Sequence, residues 1–386
     1  MPDQLRRYHW YKDVVERLLF VCGLWPSANP GLLYRLVPFV HCLACGATLG
    51  VILNFCFHNF ANLDLFLKGL GTALGYSIVL QKAICVIVYR KRLIKLHVSL
   101  NSAFEKDLQD SNLRPILLSP LRVFSSPSYV LIVMTYLVHL IYWITPLVAI
   151  AVQYFRHVDA IRYILPYPSI YPWTIGGWRY PAHYTFQLYA GLSHGAFSSS
   201  IDVLFAYYIF QICGQLRTLS QRMTNVKSHE DYRVVIRECV ARHQILTRCQ
   251  DHLERIYGPI VIGMLVVSAM IMCALIYQAS HISPGKAALV LGYIAMKAMQ
   301  TLFYGAFGSL LTTEADTFRQ AVYGSDWAGS GEKSFMTDIL VMITYKPLPM
   351  RACSMSTISV DMFVAVCNTA FSYFFMLRTL EDSNSA

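Results

Sequence analysis

Residues 129–154 read YVLIVMTYLVHLIYWITPLVAIAVQY, a stretch without a formal charge. A helix needs about 20 apolar residues to cross a hydrocarbon core of about 30 Å. The stretch exceeds that need, and it is far longer than the roughly ten alternating residues of a barrel strand. It is therefore expected to be a membrane-spanning helix. Comparable runs on either side give seven expected spans, at 34–57, 66–89, 129–154, 184–213, 257–280, 287–311 and 355–377. The fifth is also charge-free, and the seventh holds a single acid, Asp361. Helices satisfy their own backbone hydrogen bonds, as lipid requires. The expected fold class is thus an all-α membrane protein, one seven-helix domain over residues 1–386.

Composition agrees. Of 386 residues, 55% are hydrophobic and only 14% charged, with mean hydropathy +0.44, against about 25% charged in soluble domains. A large independent soluble domain is excluded. So is a disordered or collagen-like chain, because Gly (21) and Pro (16) are ordinary in number. The first residues mix Arg6, Arg7, Lys12 and Arg17 with Asp3, Asp13 and Glu16, and the short apolar run 18–25 ends in Pro26. They are expected to form an amphipathic cytosolic lead-in rather than a removable leader.

Basic residues orient the bundle. Most of the 32 Lys and Arg fall before the first span, in the 2–3 and 4–5 connections, and between the sixth and seventh spans. The positive-inside rule then puts the N-terminus in the cytosol and, after seven crossings, the C-terminus outside. This is the reverse of a G-protein-coupled receptor. The net charge of +10 follows from that topology, so no nucleic-acid partner is inferred; the partner of the surface is the lipid bilayer. Segment 231–256 carries Val234, Val235, Ile236, Val240, Ile245, Leu246 and Leu253 near helical spacing among charges. Spans four and five are expected to extend inward, with 214–256 and 312–350 forming a cytosolic anchor.

Several constellations invite chemistry. None of the eleven cysteines lies in the long outer loop, which argues against an extracellular disulfide. His41-Cys42-Leu43-Ala44-Cys45 has metal-ligand residue types but no second pair in sequence; no metal or cofactor is expected. Gly46/Gly50, Gly71/Gly75 and Gly191/Gly195 have the small-xxx-small spacing of closely packed helices. Lys82 and Asp202 lie within spans at similar depth and are expected to pair, while Lys297 has no obvious acid and calls for snorkelling or a water-filled cavity. No relay of acids and histidines crosses the helices, and no P-loop or Gly-Xaa-Ser-Xaa-Gly elbow is present. Transporter and enzyme readings are weak, and the chain is read as a non-enzyme.

Aromatics gather in the outer halves of the spans. Tyr136, His139 and Trp143 share a face of the third helix, beside Tyr142. Tyr189 and Phe197 are on the fourth and Tyr277 on the fifth, and Ala73 and Ser77 offer small residues on the second. An apolar cavity with a few polar handles is the general form of a small-molecule site; ordinary aromatic core packing gives the same pattern. The outer loop Leu165-Pro166-Tyr167-Pro168-Ser169-Ile170-Tyr171-Pro172-Trp173 reads either as a lid over such a cavity or as a rigid interfacial loop.

At the C-terminal end the chain resembles the insect odorant receptors. Ile358-Ser359-Val360-Asp361-Met362-Phe363 and Ala370-Phe371-Ser372-Tyr373-Phe374-Phe375-Met376-Leu377 are similar to that family's last helix. Ala321-Val322-Tyr323 with Trp327, the junction Lys346-Pro347-Leu348, and the outer Leu165-Pro166-Tyr167-Pro168 resemble further family signatures. The related gustatory receptors, the alternative reading, carry a Gln-Phe that does not follow Tyr373 here. The resemblance implies a ligand-gated, non-selective cation channel subunit at the cell membrane, in sensory dendrites, binding a small volatile odorant. It implies a tetramer with a co-receptor of the same family, the last helix lining the pore. The short 4–5 connection resembles that of an odorant-specific subunit. Met376 and Leu380, one turn apart near the outer end of the last helix, match the family's gate positions, with Tyr373 beside them, and an apolar ring of this kind gates by dewetting.

Overall fold

The computed structural model describes residues 2–27, 30–158, 160–225, 232–281, 284–325, 337, 339–340 and 349–385, with side chains at these positions except 2, 232–233, 284–289 and 380–385. Trp327, the 346–348 junction and the side chain of Leu380 lie outside the described residues. Ten helices are described: α1 (Pro2–Val21), α2 (Leu32–His58), α3 (Leu63–Val88), α4 (Arg90–Gln109), α5 (Arg114–Leu117), α6 (Leu121–Phe155), α7 (Arg179–Thr224), α8 (Tyr232–His281), α9 (Pro284–Tyr323) and α10 (Val360–Ser385). A two-stranded hairpin, β1 (Arg351–Ala352) and β2 (Ser356–Thr357), precedes α10. The long connection 156–178 marks the loop end of the bundle. Helices α4 and α5, the hairpin and the far ends of α7, α8 and α9 form its base.

Among the described residues, the stretches containing α2, α3, α6, α7, α8 and α10 are long and apolar enough to cross a membrane. Helix α9 occupies the place of the expected sixth span, its apolar run interrupted by the buried Lys297, Gln300 and Thr301. The outward faces are those of a membrane protein. Leu36, Phe39, Val40 and Leu43 on α2, and Val133, Leu137, Leu140 and Ile144 on α6, are exposed, where a soluble protein would present charge. Residues 355–359, expected to open the seventh span, instead form turn and strand. Cys353 and Ser354 take positive φ (50° and 60°) and Met355 N–H donates to the Ala352 carbonyl at 3.0 Å, a tight turn of the hairpin type. The hairpin and the residues after it press on glycines: a Cβ at Gly258 of α8 would meet Cys353 N at 2.9 Å, and one at Gly305 or Gly308 of α9 would overlap the carbonyls of Ser359 or Ile358. Val360 N–H donates to Ser309 Oγ at 3.1 Å. The start of α10 is thus clamped between α8 and α9.

At the base, the 2–3 connection folds as α4, whose Leu93, Leu96, Leu100 and Phe104 are fully buried at helical spacing. On α8, Val235, Ile236, Cys239, Leu246 and Leu253 turn inward, whereas Val234 and Ile245 are exposed. Ion pairs tie the layer together: Arg217 of α7 to Glu314 of α9, Arg242 of α8 to Asp107 of α4, and Lys12 of α1 to Glu105 of α4 at 2.8 Å. Burial, with Lys12 as a lesser cause, pushes the α4 imidazole of His97 down to about 4.

Helix α7 runs through the centre, and residues 195–216 are buried without exception. Its Asp202 is the hub of a polar core. Lys82 Nζ of α3 donates to Oδ1 at 2.6 Å, Gln300 Nε2 of α9 to Oδ2 at 2.6 Å, and the Tyr304 hydroxyl of α9 to Oδ1. The expected Lys82–Asp202 pair is therefore present. Lys297 neither snorkels nor faces water: it is 3% exposed, donates to Gln300 Oε1 at 3.2 Å, and lies 5.8 Å from the centre of the Tyr293 ring. Two lysines thus depend on one carboxylate, one directly and one through the Gln300 amide.

That imbalance sets a prediction. Removing one partner of a buried ion pair costs about 3–5 kcal/mol. Asp202→Leu strands two cations, whereas Lys82→Leu leaves the carboxylate with Gln300 and Tyr304. Thermal melting of the solubilised protein is expected to show the larger loss for Asp202→Leu, and equal melting points for the two would reject Asp202 as the hub.

Candidate ligand cavity and channel helix

A cavity of about 660 Å³ opens at the loop end, bounded by α3, α6, α8, α9 and the 163–175 segment of the long loop. Its walls are mainly apolar: Met134, Leu137 and Ile141 of α6, Leu275 of α8 and Val290 of α9. Polar groups come from Lys68 and Thr72 of α3, Thr145 of α6, Ser169 of the loop, Gln278 of α8, and the rings of Tyr142, Tyr163, Tyr167 and Tyr293. That size and lining suit a small, largely apolar molecule held by dispersion and one or two polar contacts.

The loop decides the shape. Tyr167 N–H donates to Gln187 Oε1 of α7 at 2.9 Å, Gln187 Nε2 to Ser169 Oγ at 3.0 Å, the Tyr180 hydroxyl to the Ile164 carbonyl at 3.0 Å, and Asn54 Nδ2 of α2 to the Ile170 carbonyl at 2.9 Å. Tied down in this way, the segment turns Tyr167 inward, where it is 4% exposed, while Trp173 and Trp178 stay exposed. Residues 163–169 wall the cavity, and the two tryptophans lie on the exposed side of the loop.

Behind the wall lies a small group of buried polar atoms without hydrogen-bond partners: the hydroxyls of Tyr76 and Tyr167 and Nε1 of Trp143. The Tyr76 and Tyr167 rings meet edge to face at 5.4 Å, and Tyr142 packs on Tyr167 at 5.7 Å. Gly191 of α7 makes the space. A Cβ there would overlap the Tyr167 hydroxyl and come within 2.9 Å of Trp143 Nε1.

The residues singled out from the sequence are dispersed. Tyr142 lines the cavity. Trp143 and the buried Ala73 belong to the layer behind it, and Ser77 Oγ donates to the Ala73 carbonyl at 2.9 Å. Tyr136 and His139 lie against Gly195; His139 Nδ1 bonds the Thr135 carbonyl at 2.7 Å and Nε2 lies 2.9 Å from His194 Nδ1. Tyr189 stacks on His41 of α2 at 5.6 Å, and Phe197 is fully buried in the main core, edge-on to the same imidazole. Tyr277 packs with Leu67, Cys273, Ala274 and Phe374 on the side of α8 that meets α10. The structure thus brings Tyr142 to the cavity and turns Tyr189, Phe197 and Tyr277 elsewhere. Sequence reasoning passed over Tyr76, Tyr293, Thr72, Lys68 and Gln278 as site residues; Tyr167 stood in view within the loop, and the others carry no local signature. In the His41–Cys45 motif, His41 Nδ1 lies 2.7 Å from Ser193 Oγ and Cys45 Sγ donates to the Ala190 carbonyl at 3.7 Å, so both side chains join α2 to α7.

Helix α10 buries one stripe, Met362, Val366, Ala370 and Phe374, each a turn apart, against α8 and α9. The other face leaves Phe371, Tyr373, Phe375 and Met376 exposed. The two sites share α8. Within one turn Leu275 and Gln278 face the cavity, and Ala274 and Tyr277 pack on Phe374 of α10.

Comparison with known proteins places this architecture. A family model described as 7tm odorant receptor matches residues 62–371. Odorant receptor 13a of Drosophila melanogaster is 24% identical over 246 residues, covering 58% of this chain and 59% of that protein. The odorant receptor coreceptor of Anopheles gambiae is 26% identical over 152 residues, covering 39% of this chain and 32% of the coreceptor. The chain therefore spans about three fifths or less of the length of these curated relatives. Among solved structures, the insect olfactory receptor OR5 of Machilis hrabei in complex with eugenol superposes with a TM-score of 0.82 at 14% identity, over 98% of this chain and 100% of that one. At that identity the likeness speaks for the fold.

The orphaned hydroxyl gives a test of the wall. Tyr167→Phe removes a buried polar atom that has no partner and is expected to leave stability unchanged or raise it by about 1 kcal/mol. Gly191→Leu fills the space the ring needs and is expected to lower the melting temperature. Matching losses for both variants contradict this placement of Tyr167.

Proposed function

The chain belongs to the 7tm odorant receptor family, and from that premise we propose that it is one subunit of an odorant-gated, non-selective cation channel. The cavity at the loop end takes a small volatile ligand, and Tyr142, with Tyr293 and Tyr167 opposite, grips it. Polar handles come from the layer behind, Trp143 first, while His139, Tyr136, Ala73 and Ser77 set the packing of that layer and Tyr189 and Phe197 hold α2 against α7. The base is cytosolic, as the basic bias of the sequence requires. The channel is a tetramer shared with a co-receptor of the same family, in the membrane of sensory dendrites, and the exposed stripe of α10 faces its pore, with Met376, Leu380 and Tyr373 as this subunit's share of the gate.

One observation carries the reading: the single turn of α8 that touches both the cavity, through Leu275 and Gln278, and α10, through Tyr277 and Ala274 against Phe374. A ligand that wedges α8 displaces Phe374. Because the start of α10 is clamped by the hairpin and Ser309, the displacement tilts its far end. An apolar constriction there stays dry until it widens, since ions would lose hydration without replacement ligands.

Co-expression with and without a co-receptor, recording currents over a panel of volatiles, tests the whole: no odour-evoked current in either case removes the channel reading. Given an active odorant, Tyr142→Ala is expected to raise the half-maximal concentration about tenfold or more, a loss of about 1.4 kcal/mol. Phe374→Ala is expected to reduce the maximal current while leaving ligand binding near wild type. Met376→Ser is expected to raise the current without odorant, because a polar ring lowers the cost of wetting. If basal current, block and selectivity all stay at wild-type values with normal surface expression, Met376 does not face the pore.

A further inference from the structure

A second cavity, about 670 Å³, lies at the base between α1 and the start of α6, away from every residue of the ligand cavity. Its chemistry is different. Arg6 and Arg7 of α1 and Arg122 of α6 line it, together with Ser125, Ser126, Trp10 and Tyr129. Asp3, one turn back on α1, holds Arg7 at 2.9 Å and Arg6 at 3.6 Å, so it offsets one of the three positive charges and leaves two.

The local fold explains why the arginines are presented. Helix α1 buries Tyr8, Tyr11, Val15 and Leu19, spaced three and four residues apart, against α4, α6 and α7; Tyr11 donates to or accepts from Ser128 Oγ at 3.0 Å and meets Tyr129 edge-on at 5.9 Å. That fixes α1 against α7, touching the start of α6 at Tyr11, and points its other face outward. On that face Trp10 is 65% exposed, and towards the end of the helix Phe20 is 62% exposed. An exposed Trp followed along the helix by an exposed Phe, with arginines on the side nearer the base, is the pattern of a helix lying at a membrane boundary. Tyr129, the first residue of the apolar 129–154 run, marks the same depth on α6.

We propose that this groove binds the phosphate of an anionic membrane lipid in the leaflet that meets the base. Guanidinium forks match phosphate oxygens bidentately and stay charged at any physiological pH. Clustered basic side chains beside a span draw anionic headgroups from the surrounding bilayer. The acyl chains then have an apolar surface beside the groove, at Trp10 and along the exposed face of α6, including Val130 and Val133. The bound lipid cements α1 to α6, and through the buried tyrosines to the central helix. The site needs only a membrane boundary at Tyr129; it stands whether or not the chain conducts ions.

The experiment uses the full chain, purified in mild detergent, where both faces are accessible and topology does not matter. Short-chain phosphatidic acid is titrated in native mass spectrometry, with phosphatidylcholine as the neutral control and glycerol 3-phosphate as the soluble phosphate. Wild type is expected to bind phosphatidic acid over phosphatidylcholine. Arg7→Gln with Arg122→Gln is expected to weaken phosphatidic acid binding about tenfold, and Arg156→Gln, in the long loop, to leave it unchanged. Arg6, almost fully exposed, supplies a variant that cannot unfold the helix; Arg6→Gln is expected to weaken binding about threefold. Phosphatidic acid binding that is indifferent to all three arginines overturns the site. Displacement of the lipid by equimolar glycerol 3-phosphate overturns the lipid as occupant and makes the groove a soluble-phosphate site.

Discussion

A single carboxylate organises the bundle. Asp202 sits in a stretch of α7 that is buried on every side, where an unpaired charge costs several kcal/mol and lipid offers no hydrogen bonds. It therefore takes its donors from the neighbours: Lys82 of α3, and Gln300 and Tyr304 of α9. Three helices meet at one point, and their rotations about their own axes are fixed together. Everything toward the loop end follows. With α3 and α9 held against α7, α6 closes from the side, and the gap between these helices and α8 is the candidate cavity.

The base is fixed by other means. There the chain leaves the hydrocarbon and can use charge at the surface, so Arg217–Glu314, Arg242–Asp107 and Lys12–Glu105 tie α7, α9, α8, α4 and α1. The hairpin before α10 is seated on Gly258 and the residues after it on Gly305 and Gly308, because only the absence of a Cβ lets their backbone approach the helices so closely. Among the described residues, the far half of α10 shows no comparable restraint. Its described contact is the apolar stripe ending in Phe374, which packs on α8 without the hydrogen bonds that hold the start of the helix. In the proposed channel a helix clamped at its start is suited to tilt, and α8, which carries cavity-lining residues on the face adjacent to the one that meets Phe374, is the proposed lever.

Hydropathy was enough to locate long apolar helices. Among the described residues, the stretches containing α2, α3, α6, α7, α8 and α10 are long and apolar enough to cross a membrane, and the expected sixth run is the helix α9, interrupted by buried polar side chains. The Lys82–Asp202 pair was legible too: two opposite charges at one depth in hydrocarbon have few alternatives to each other. Lys297 was not, because its partner is an amide, Gln300, and amides are silent in a count of charges. Helix α4 was hidden for a similar reason. Its basic residues marked it as a connection, and its buried leucines become a pattern only once the extensions of α7 and α8 are there to cover them.

The sequence by itself determined that this is a helical membrane protein, the family whose last helix it carries, and the side of the bundle on which its positive charge gathers. Tertiary structure alone decided which faces meet. Tyr189, Phe197 and Tyr277 look like Tyr142 in sequence, yet the first two turn to α2, the third to α10, and Tyr142 to the cavity. In a soluble helix the polar face announces which side is out. In a membrane helix the lipid and the protein interior are equally apolar, so the sequence carries no such mark, and the rotation of each helix is set by the few polar contacts that lipid cannot replace.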